Sequence, residues 1–147
     1  MFIDKIHLFV NLFNNKEFKN AMAQRNLSNY KNGMNAEMVV ISHLIRHRYS
    51  IIKHRYKTKY GELDIIAARQ NVLLFIEVKN RKIIPNYEVI SQKQKKRCYD
   101  TALHFLANNP QFSNFTMRFD CFFIDAYGEI KHIQNSWEIT DLTSNSS

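Results

Sequence analysis

The chain has 147 residues, 45% of them hydrophobic and 13% aromatic, and this composition excludes an intrinsically disordered chain. Its 21 lysines and arginines against 13 acidic residues give a formal net charge of +8, which favours a polyanionic partner, nucleic acid before an anionic membrane surface. Cys98 and Cys121 form no Cys-x-x-Cys motif, so we expect neither a zinc ribbon nor a disulfide framework, and a cytoplasmic location fits best.

Residues 1–30 are predicted to be an appendage to a single domain. Apolar side chains recur at helical spacing in their first part, which indicates an amphipathic helix that packs on the domain or on a second copy. Cations are sparse on the polar face of that helix, and no apolar run is long enough to span a bilayer, so no membrane partner is expected. The domain is expected at 31–138 and a polar tail at 139–147.

The first helix of the domain is predicted from about Asn32 to Arg48. Glu37 lies on the same stripe as the apolar residues that follow it, so its carboxylate points either towards the core or along the first turn, where it complements the helix dipole. His43 and His47 are four residues apart, yet no glutamate follows His43 as a zinc-protease helix requires. We therefore expect both histidines to face solvent.

Two apolar, β-branched-rich runs on either side of Gln70-Asn71 predict a β-hairpin whose second strand is buried on both faces. In that register Asp64 faces Glu77, and like charges so placed destabilise a sheet unless a cation lies between them. Alternation puts Lys79 on the same face as Glu77. Two carboxylates and a lysine therefore predict an oxygen-ligand site for a hard divalent cation such as Mg²⁺.

Basic residues surround the hairpin in sequence. A predicted strand from Tyr49 to Tyr56 precedes it, and a predicted helix from about Tyr87 to Leu106 follows it with a run of cations in its first half. Such cations either form solvated faces or contact phosphates, and their closeness to the hairpin favours phosphate contacts. The residues expected to contact nucleic acid are Lys57, Lys59, Arg81, Lys93, Lys96 and Arg97.

Two late strands, from Thr116 to Ile124 and from Glu129 to Ile133, complete the predicted domain. Arg118 and Asp120 share one face of the first of them, because side chains two residues apart in a strand point the same way. We expect them to form a structural ion pair.

These motifs together resemble the YraN family, also called UPF0102. Its members show a glycine and a glutamate in an early helix, GEhD with h apolar, EVKxR at a strand end, a lysine-bearing helix and a late RFD strand. The corresponding segments of this chain are Gly33 and Glu37; Gly61-Glu62-Leu63-Asp64; Glu77-Val78-Lys79-Asn80-Arg81; Lys93; and Arg118-Phe119-Asp120. The chain departs from the family at Arg55, where asparagine is usual, and at Val40, where a small residue is usual.

That family is similar to the restriction-endonuclease-like PD-(D/E)xK superfamily and, within it, to archaeal Holliday junction resolvases. The resemblance implies an α/β fold with a central mixed sheet of about five strands flanked by helices. It also implies a phosphodiester hydrolase that depends on Mg²⁺, for which Mn²⁺ can substitute. The expected substrate is branched DNA rather than RNA, and the resemblance is compatible with a homodimer. Carried over residue by residue, the catalytic set is Glu37, Asp64, Glu77 and Lys79, and the metal ligands are Asp64, Glu77, the Val78 carbonyl and Glu37.

Two other classes of function stay open. One is a non-catalytic nucleic-acid-binding module on the same fold, and the other is a structural adaptor that docks through residues 1–30. The presence of all four catalytic positions favours a nuclease over both.

Overall fold

The computed structural model describes residues 36–81, 90–125 and 127–138. Its elements in chain order are α1 (Ala36–Arg46), β1 (Ser50–Lys57), β2 (Glu62–Arg69), β3 (Val72–Lys79), α2 (Gln92–Asn108), a 3₁₀ turn (Pro110–Phe112), β4 (Thr116–Ile124) and β5 (Ile130–Ile133). The predicted N-terminal helix and the polar tail fall outside the described residues, so the predicted domain boundaries stay predictions. No helix in the described ranges is both long and apolar enough to cross a bilayer.

The five strands form one sheet in the order β1-β2-β3-β4-β5. Neighbouring strands are antiparallel except β3 and β4, which run parallel. A parallel pair needs a crossover connection, and α2 lies in the segment that links these two strands. The predicted α/β fold with a central mixed sheet of about five strands and flanking helices is therefore confirmed.

The sheet is covered by one helix on each face, and the alternation of side chains along the strands separates two hydrophobic clusters. On one face α1 contributes Val40, Ile41 and Leu44, which pack with strand residues such as Ile65 and Ile76. On the other face α2 contributes Cys98, Ala102 and Phe105, which pack with Phe75, Cys121 and Phe123. Because β3 is covered on both sides, its central residues are all buried, as predicted.

The predicted hairpin register is confirmed. Paired residues run from Arg69 and Val72 beside the turn to Ile65 and Ile76. Gln70 has a φ of 54°, in the left-handed region that a two-residue hairpin turn uses. This register brings the ends of β2 and β3, and with them the predicted carboxylates, to the same edge of the sheet.

The helix limits differ from those predicted. Helix α1 ends at Arg46 rather than at Arg48, because Arg48 has a left-handed φ of 64° and its N–H bonds to the carbonyl of Ile45 at 3.0 Å. Helix α2 begins at Gln92, where the Ser91 side chain caps it by accepting a hydrogen bond from the Gln94 N–H at 3.3 Å. The predicted start of that helix near residue 87 lies outside the described residues.

The two histidines of α1 differ from each other. His47 is exposed as predicted, whereas His43 is half-buried, with its ring centroid 4.1 Å from that of His47 and 5.8 Å from that of Phe122. Burial, helped by the nearby charges of His47 and Arg46, lowers the pKa of His43 to about 4. The expectation that His43 faces solvent is therefore wrong, because the helix phase turns its ring onto the sheet.

A candidate active site at the ends of β2 and β3

The paired part of the hairpin stops next to the predicted site. Beyond Ile65 and Ile76, the Asp64 carboxylate accepts a hydrogen bond of 2.7 Å from the Val78 N–H. Strict alternation along β2 also fails here, because Leu63 packs in the same cluster as Ile66 while Ile65 packs in the opposite one. The Asp64 side chain thus takes the place of a strand partner for Val78, instead of forming the predicted cross-strand pair with Glu77.

Glu77 lies on the face covered by α2 and is almost completely buried. Its Oε2 accepts a hydrogen bond of 2.9 Å from Gln94 Nε2 and lies 3.6 Å from Lys79 Nζ. Its Oε1 lies 3.8 Å from the thiol of Cys98, which donates to it. Lys79 in turn donates to Gln94 Oε1 at 3.2 Å, so a closed ring of contacts joins Glu77, Lys79 and Gln94.

The surroundings make it unfavourable for both carboxylates to be ionised. Burial, followed by the negative charge of Asp64, raises the pKa of Glu77 to about 7, although Lys79 opposes the shift. Burial also raises the pKa of Asp64, although the hydrogen bond from Val78 opposes it. Perturbed carboxylates of this kind are concentrated at functional sites, because a substrate or cation supplies the compensating charge that the fold withholds.

Glu37 lies beside this pair and has partners of its own. Its Oε2 lies 2.5 Å from His54 Nε2 and accepts a hydrogen bond of 2.9 Å from Arg55 Nε. The charge of Glu37 contributes to the raised pKa of Asp64, so the two carboxylates are neighbours. Arg55, one of the two positions that depart from the family pattern, has a left-handed φ of 54°, and its hydrogen bond to Glu37 raises the pKa of its guanidinium.

The donor set suits a magnesium ion that keeps most of its waters. Mg²⁺ is usually held in proteins by one or two carboxylates together with waters and substrate phosphates. Asp64 and Glu77 supply two carboxylates whose ionised forms are disfavoured by burial. A hard divalent cation bound between them would offset that cost. Among residues 36–81, 90–125 and 127–138, no three His, Cys, Asp or Glu side chains are spaced to share one metal ion. The ligand roles of Glu37 and of the Val78 carbonyl stay predictions.

The predicted phosphate-contacting residues lie on the elements that border this site. Lys57 and Lys59 are exposed at the β1–β2 turn, where Lys57 lies 3.6 Å from Glu62. Arg81, just past β3, places its guanidinium 5.3 Å from the ring centroid of Phe123. The predicted contact residues on α2 are exposed; they are Lys93, Lys96 and Arg97. Lys96 is paired with Asp100 at 2.7 Å, which lowers its availability for a phosphate.

Two residues at the site were not predicted from the sequence, Gln94 and the thiol of Cys98. A signal for Gln94 exists, since it lies one helical turn before Cys98 and is a neutral residue in a run of cations. A polar uncharged side chain on the buried stripe of a basic helix indicates a buried polar partner. No comparable signal singles out the thiol, because buried cysteines most often act as small apolar residues.

Fold and site together define an α/β protein with a restriction-endonuclease-like mixed sheet and a carboxylate pair at one edge of it. A family model described as "Uncharacterised protein family UPF0102" matches residues 36–124, so the chain belongs to this family. The matched segment contains the whole candidate site.

Relatives share most of their length with this chain. A UPF0102 protein of Ehrlichia ruminantium is 39% identical over 106 residues, which cover 72% of this chain and 83% of the relative. One from Ehrlichia chaffeensis is 36% identical over 106 residues, covering 72% and 86%. One from Rhodopseudomonas palustris is 31% identical over 119 residues, covering 80% and 88%. The predicted family is therefore confirmed.

Proposed function

We propose that this protein is a metal-dependent nuclease that hydrolyses phosphodiester bonds in nucleic acid, with structured or branched DNA as the favoured substrate. One observation carries the proposal: Glu77 is a buried carboxylate 3.6 Å from Lys79 and close to Asp64, and this burial raises its pKa to about 7. A divalent cation and a phosphate would together satisfy these groups. A cytoplasmic location, inferred from the two cysteines that form no predicted disulfide framework, and a homodimer, which the family resemblance implies, are parts of this proposal.

Each residue has a defined role in this proposal. Asp64 and Glu77 hold Mg²⁺ or Mn²⁺, which supplies positive charge for the phosphate and a more acidic water. Lys79 holds the attacking water and offsets the negative charge that develops on the phosphate oxygens. Gln94 keeps the Lys79 ammonium and the Glu77 carboxylate in their relative positions, since it bonds to both.

The remaining acidic and basic residues act around that centre. Glu37, whose carboxylate pairs with the Arg55 guanidinium at 2.9 Å, would complete the shell of the metal directly or through a water. Phosphate contacts fix where a strand lies without reading its sequence. The exposed cations at the turn and along α2 supply these contacts. Lysines and arginines around the acidic site would therefore bind the phosphates of the substrate.

The test is a cleavage assay with Mg²⁺ or Mn²⁺ on a panel of labelled junctions, flaps, duplexes and single strands. Wild type is compared with two variants, Glu77→Gln and Lys79→Ala. Glutamine has the size and shape of glutamate and still forms hydrogen bonds, but it carries no charge. We expect metal-dependent cutting by wild type and a loss of several orders of magnitude in both variants. Cutting that is unchanged in Glu77→Gln would overturn the proposed site.

The alternative is a nucleic-acid-binding module without catalysis. One observation favours it: Glu37 and Lys79 already have protein partners, His54 and Arg55 for the former and Gln94 for the latter. This alternative predicts salt-sensitive binding of the same panel with no cutting under any metal. A binding titration with each labelled substrate, run beside the cleavage assay, separates the two functions.

A further inference from the structure

A second cluster of side chains lies where the β1–β2 turn meets α2, and of its members only Lys59 has a role in the proposed function. The turn between β1 and β2 presents Tyr60, whose side chain is 43% exposed. Its ring centroid lies 5.8 Å from that of His104 on α2. His104 Nδ1 and the Tyr56 hydroxyl lie within 3.0 Å of each other, and Lys59 Nζ lies 5.2 Å from the centre of the Tyr60 ring. We call Tyr56, Lys59, Tyr60 and His104 the aromatic platform.

The backbone of this platform is held in one conformation. The Tyr60 N–H donates to Thr58 Oγ1 at 3.1 Å, and the Thr58 N–H donates to the Gly61 carbonyl at 2.8 Å. Gly61 lies so close to α2 that a Cβ added there would come within 3.2 Å of Arg97 Cβ. The turn is therefore pressed against the helix. An aromatic ring fixed in this way loses little conformational entropy when a flat ligand stacks on it.

The charge around the platform selects a class of ligand. Exposed cations lie at the end of β1 (Lys57), on the turn (Lys59) and on the adjacent helix (Arg97), in a chain whose formal net charge is +8. An exposed aromatic ring bordered by cations is the arrangement that binds single-stranded nucleic acid, with bases on the ring and phosphates on the cations.

The distance to the carboxylates is set by α2. Gln94 contacts Glu77 near the start of the helix, and His104 contacts the platform ten residues later. At 1.5 Å per residue these two positions are about 15 Å apart along the helix axis. Stacked nucleotides rise about 3.4 Å each, so about four of them span this distance.

We propose that the aromatic platform stacks an unpaired base of the substrate, about four nucleotides from the bond at the candidate active site. The substrate class is then a nucleic acid with a single-stranded segment beside a duplex, as at a flap, a tail or the arms of a branched molecule. This inference rests on the proposed function for its substrate but concerns binding, so it is tested without cleavage.

The experiment measures binding by fluorescence anisotropy in EDTA, where metal-dependent cutting is stopped. The probes are a labelled blunt duplex and the same duplex with an eight-nucleotide single-stranded tail on either end. Wild type is expected to bind a tailed duplex more tightly than the blunt one. Tyr60→Ala should remove that preference, a loss of roughly ten- to a hundred-fold on the tailed probe, while Tyr60→Phe keeps it.

Leu103→Ala is the matched control. Leu103 lies on α2 and is also 43% exposed, but its side chain is aliphatic and cannot stack on a base. Its truncation should therefore leave the affinity for both probes unchanged. A thermal melt of each variant verifies that it is folded, and the exposed position of Tyr60 makes unfolding of Tyr60→Ala unexpected.

The outcomes separate this proposal from the nuclease proposal. If Tyr60→Ala binds tailed and blunt probes as wild type does, the platform is overturned, whatever the cleavage assay shows. If the tail preference depends on Tyr60 but wild type cuts nothing with Mg²⁺ or Mn²⁺, the platform stands and the nuclease fails. Equal loss in Tyr60→Ala and Leu103→Ala would also overturn the stacking role.

Discussion

Gln94 Nε2 donates a hydrogen bond of 2.9 Å to Glu77 Oε2, and the oxygen of the same amide accepts one from Lys79 Nζ at 3.2 Å. One uncharged side chain on α2 therefore fixes both the carboxylate of Glu77 and the ammonium of Lys79, which lie on β3. The amide can do this because its donor and acceptor ends match the two charges. A lysine at this position would repel Lys79, and a glutamate would repel Glu77.

Gln94→Ala should lower the rate of cleavage by about ten- to a hundred-fold, because the Lys79 ammonium loses the group that positions it. The free energy of unfolding should fall by about 3 kcal/mol, because two hydrogen bonds to charged groups are lost. Cleavage kinetics and denaturant unfolding of the same protein measure both. Gln92→Ala, the same change on the same helix, is the control, and equal losses in the two variants would contradict a positioning role for Gln94.

The contribution of Glu77 to the stability of the metal-free protein should fall as the pH rises from about 4.5 to about 7, whereas burial of His43, whose pKa is lowered to about 4, has the opposite effect over nearly the same range. The ordinary pKa of a glutamate is 4.5 and that of folded Glu77 is about 7, so between these values the folded state binds more protons than the unfolded state. A shift of this size corresponds to about 3 kcal/mol. Urea unfolding at several pH values, in EDTA, measures the effect.

Glu77→Gln should remove this contribution, because the amide cannot ionise. The stability of wild type relative to Glu77→Gln should therefore fall over this pH range, since the effect of His43 is present in both proteins and cancels in the comparison. Glu129→Gln is the matched control, since Glu129 is 61% exposed and its removal should leave the pH profile unchanged. A wild-type profile retained in Glu77→Gln would show that another group causes it.

Asp120→Asn should destabilise the fold by about 3 kcal/mol, which lowers the melting temperature by roughly 10 °C. Asp120 is buried and accepts two hydrogen bonds from Arg118, at 2.9 and 2.8 Å, one from the Asn135 N–H at 3.0 Å, and lies 2.7 Å from His132 Nε2. Burial alone would raise the pKa of Asp120, but the bonds from His132, Arg118 and Asn135 outweigh it and lower the pKa below its usual 3.8. This stabilisation is present above pH 3.8 and is lost as the pH falls through the lowered pKa.

Asp100→Asn is the control for that prediction. Asp100 pairs with Lys96 at 2.7 Å on the surface of α2, where such a pair contributes less than about 0.5 kcal/mol. Calorimetric melts of both variants provide the comparison, and a small effect for Asp120→Asn would mean that the buried network is not structural.

Lys93→Gln should reduce the salt dependence of nucleic-acid binding. Each phosphate that a cation neutralises contributes about 0.9 to the slope of log K against log salt concentration on duplex DNA, so the slope should fall by about that amount. Lys131→Gln is the control, because Lys131 is exposed on edge strand β5 and pairs with Glu129 at 3.1 Å. Unchanged slopes in both variants would remove Lys93 from the interface.

The sequence by itself determined the strands, the hairpin register and the placement of the acidic pair at one end of the hairpin, whereas the mixed five-stranded sheet was expected from the family resemblance. The two-residue turn after Arg69 sets the hairpin register, and the strand period of two then assigns faces, so Glu77 and Lys79 could be placed together. The same period placed Arg118 beside Asp120, which form the predicted ion pair. These are local relationships, and short-range geometry is enough to predict them.

Only the tertiary structure decided which residues form hydrogen bonds with each charged group. Gln94 and Cys98 reach Glu77 because α2 docks on the sheet in one particular rotation, and His54 and Arg55 reach Glu37 because α1 packs beside β1. Those contacts join residues 17 or more positions apart. Helix periodicity predicts which face of a helix is buried, but the depth and rotation at which two elements pack depend on all the side chains between them.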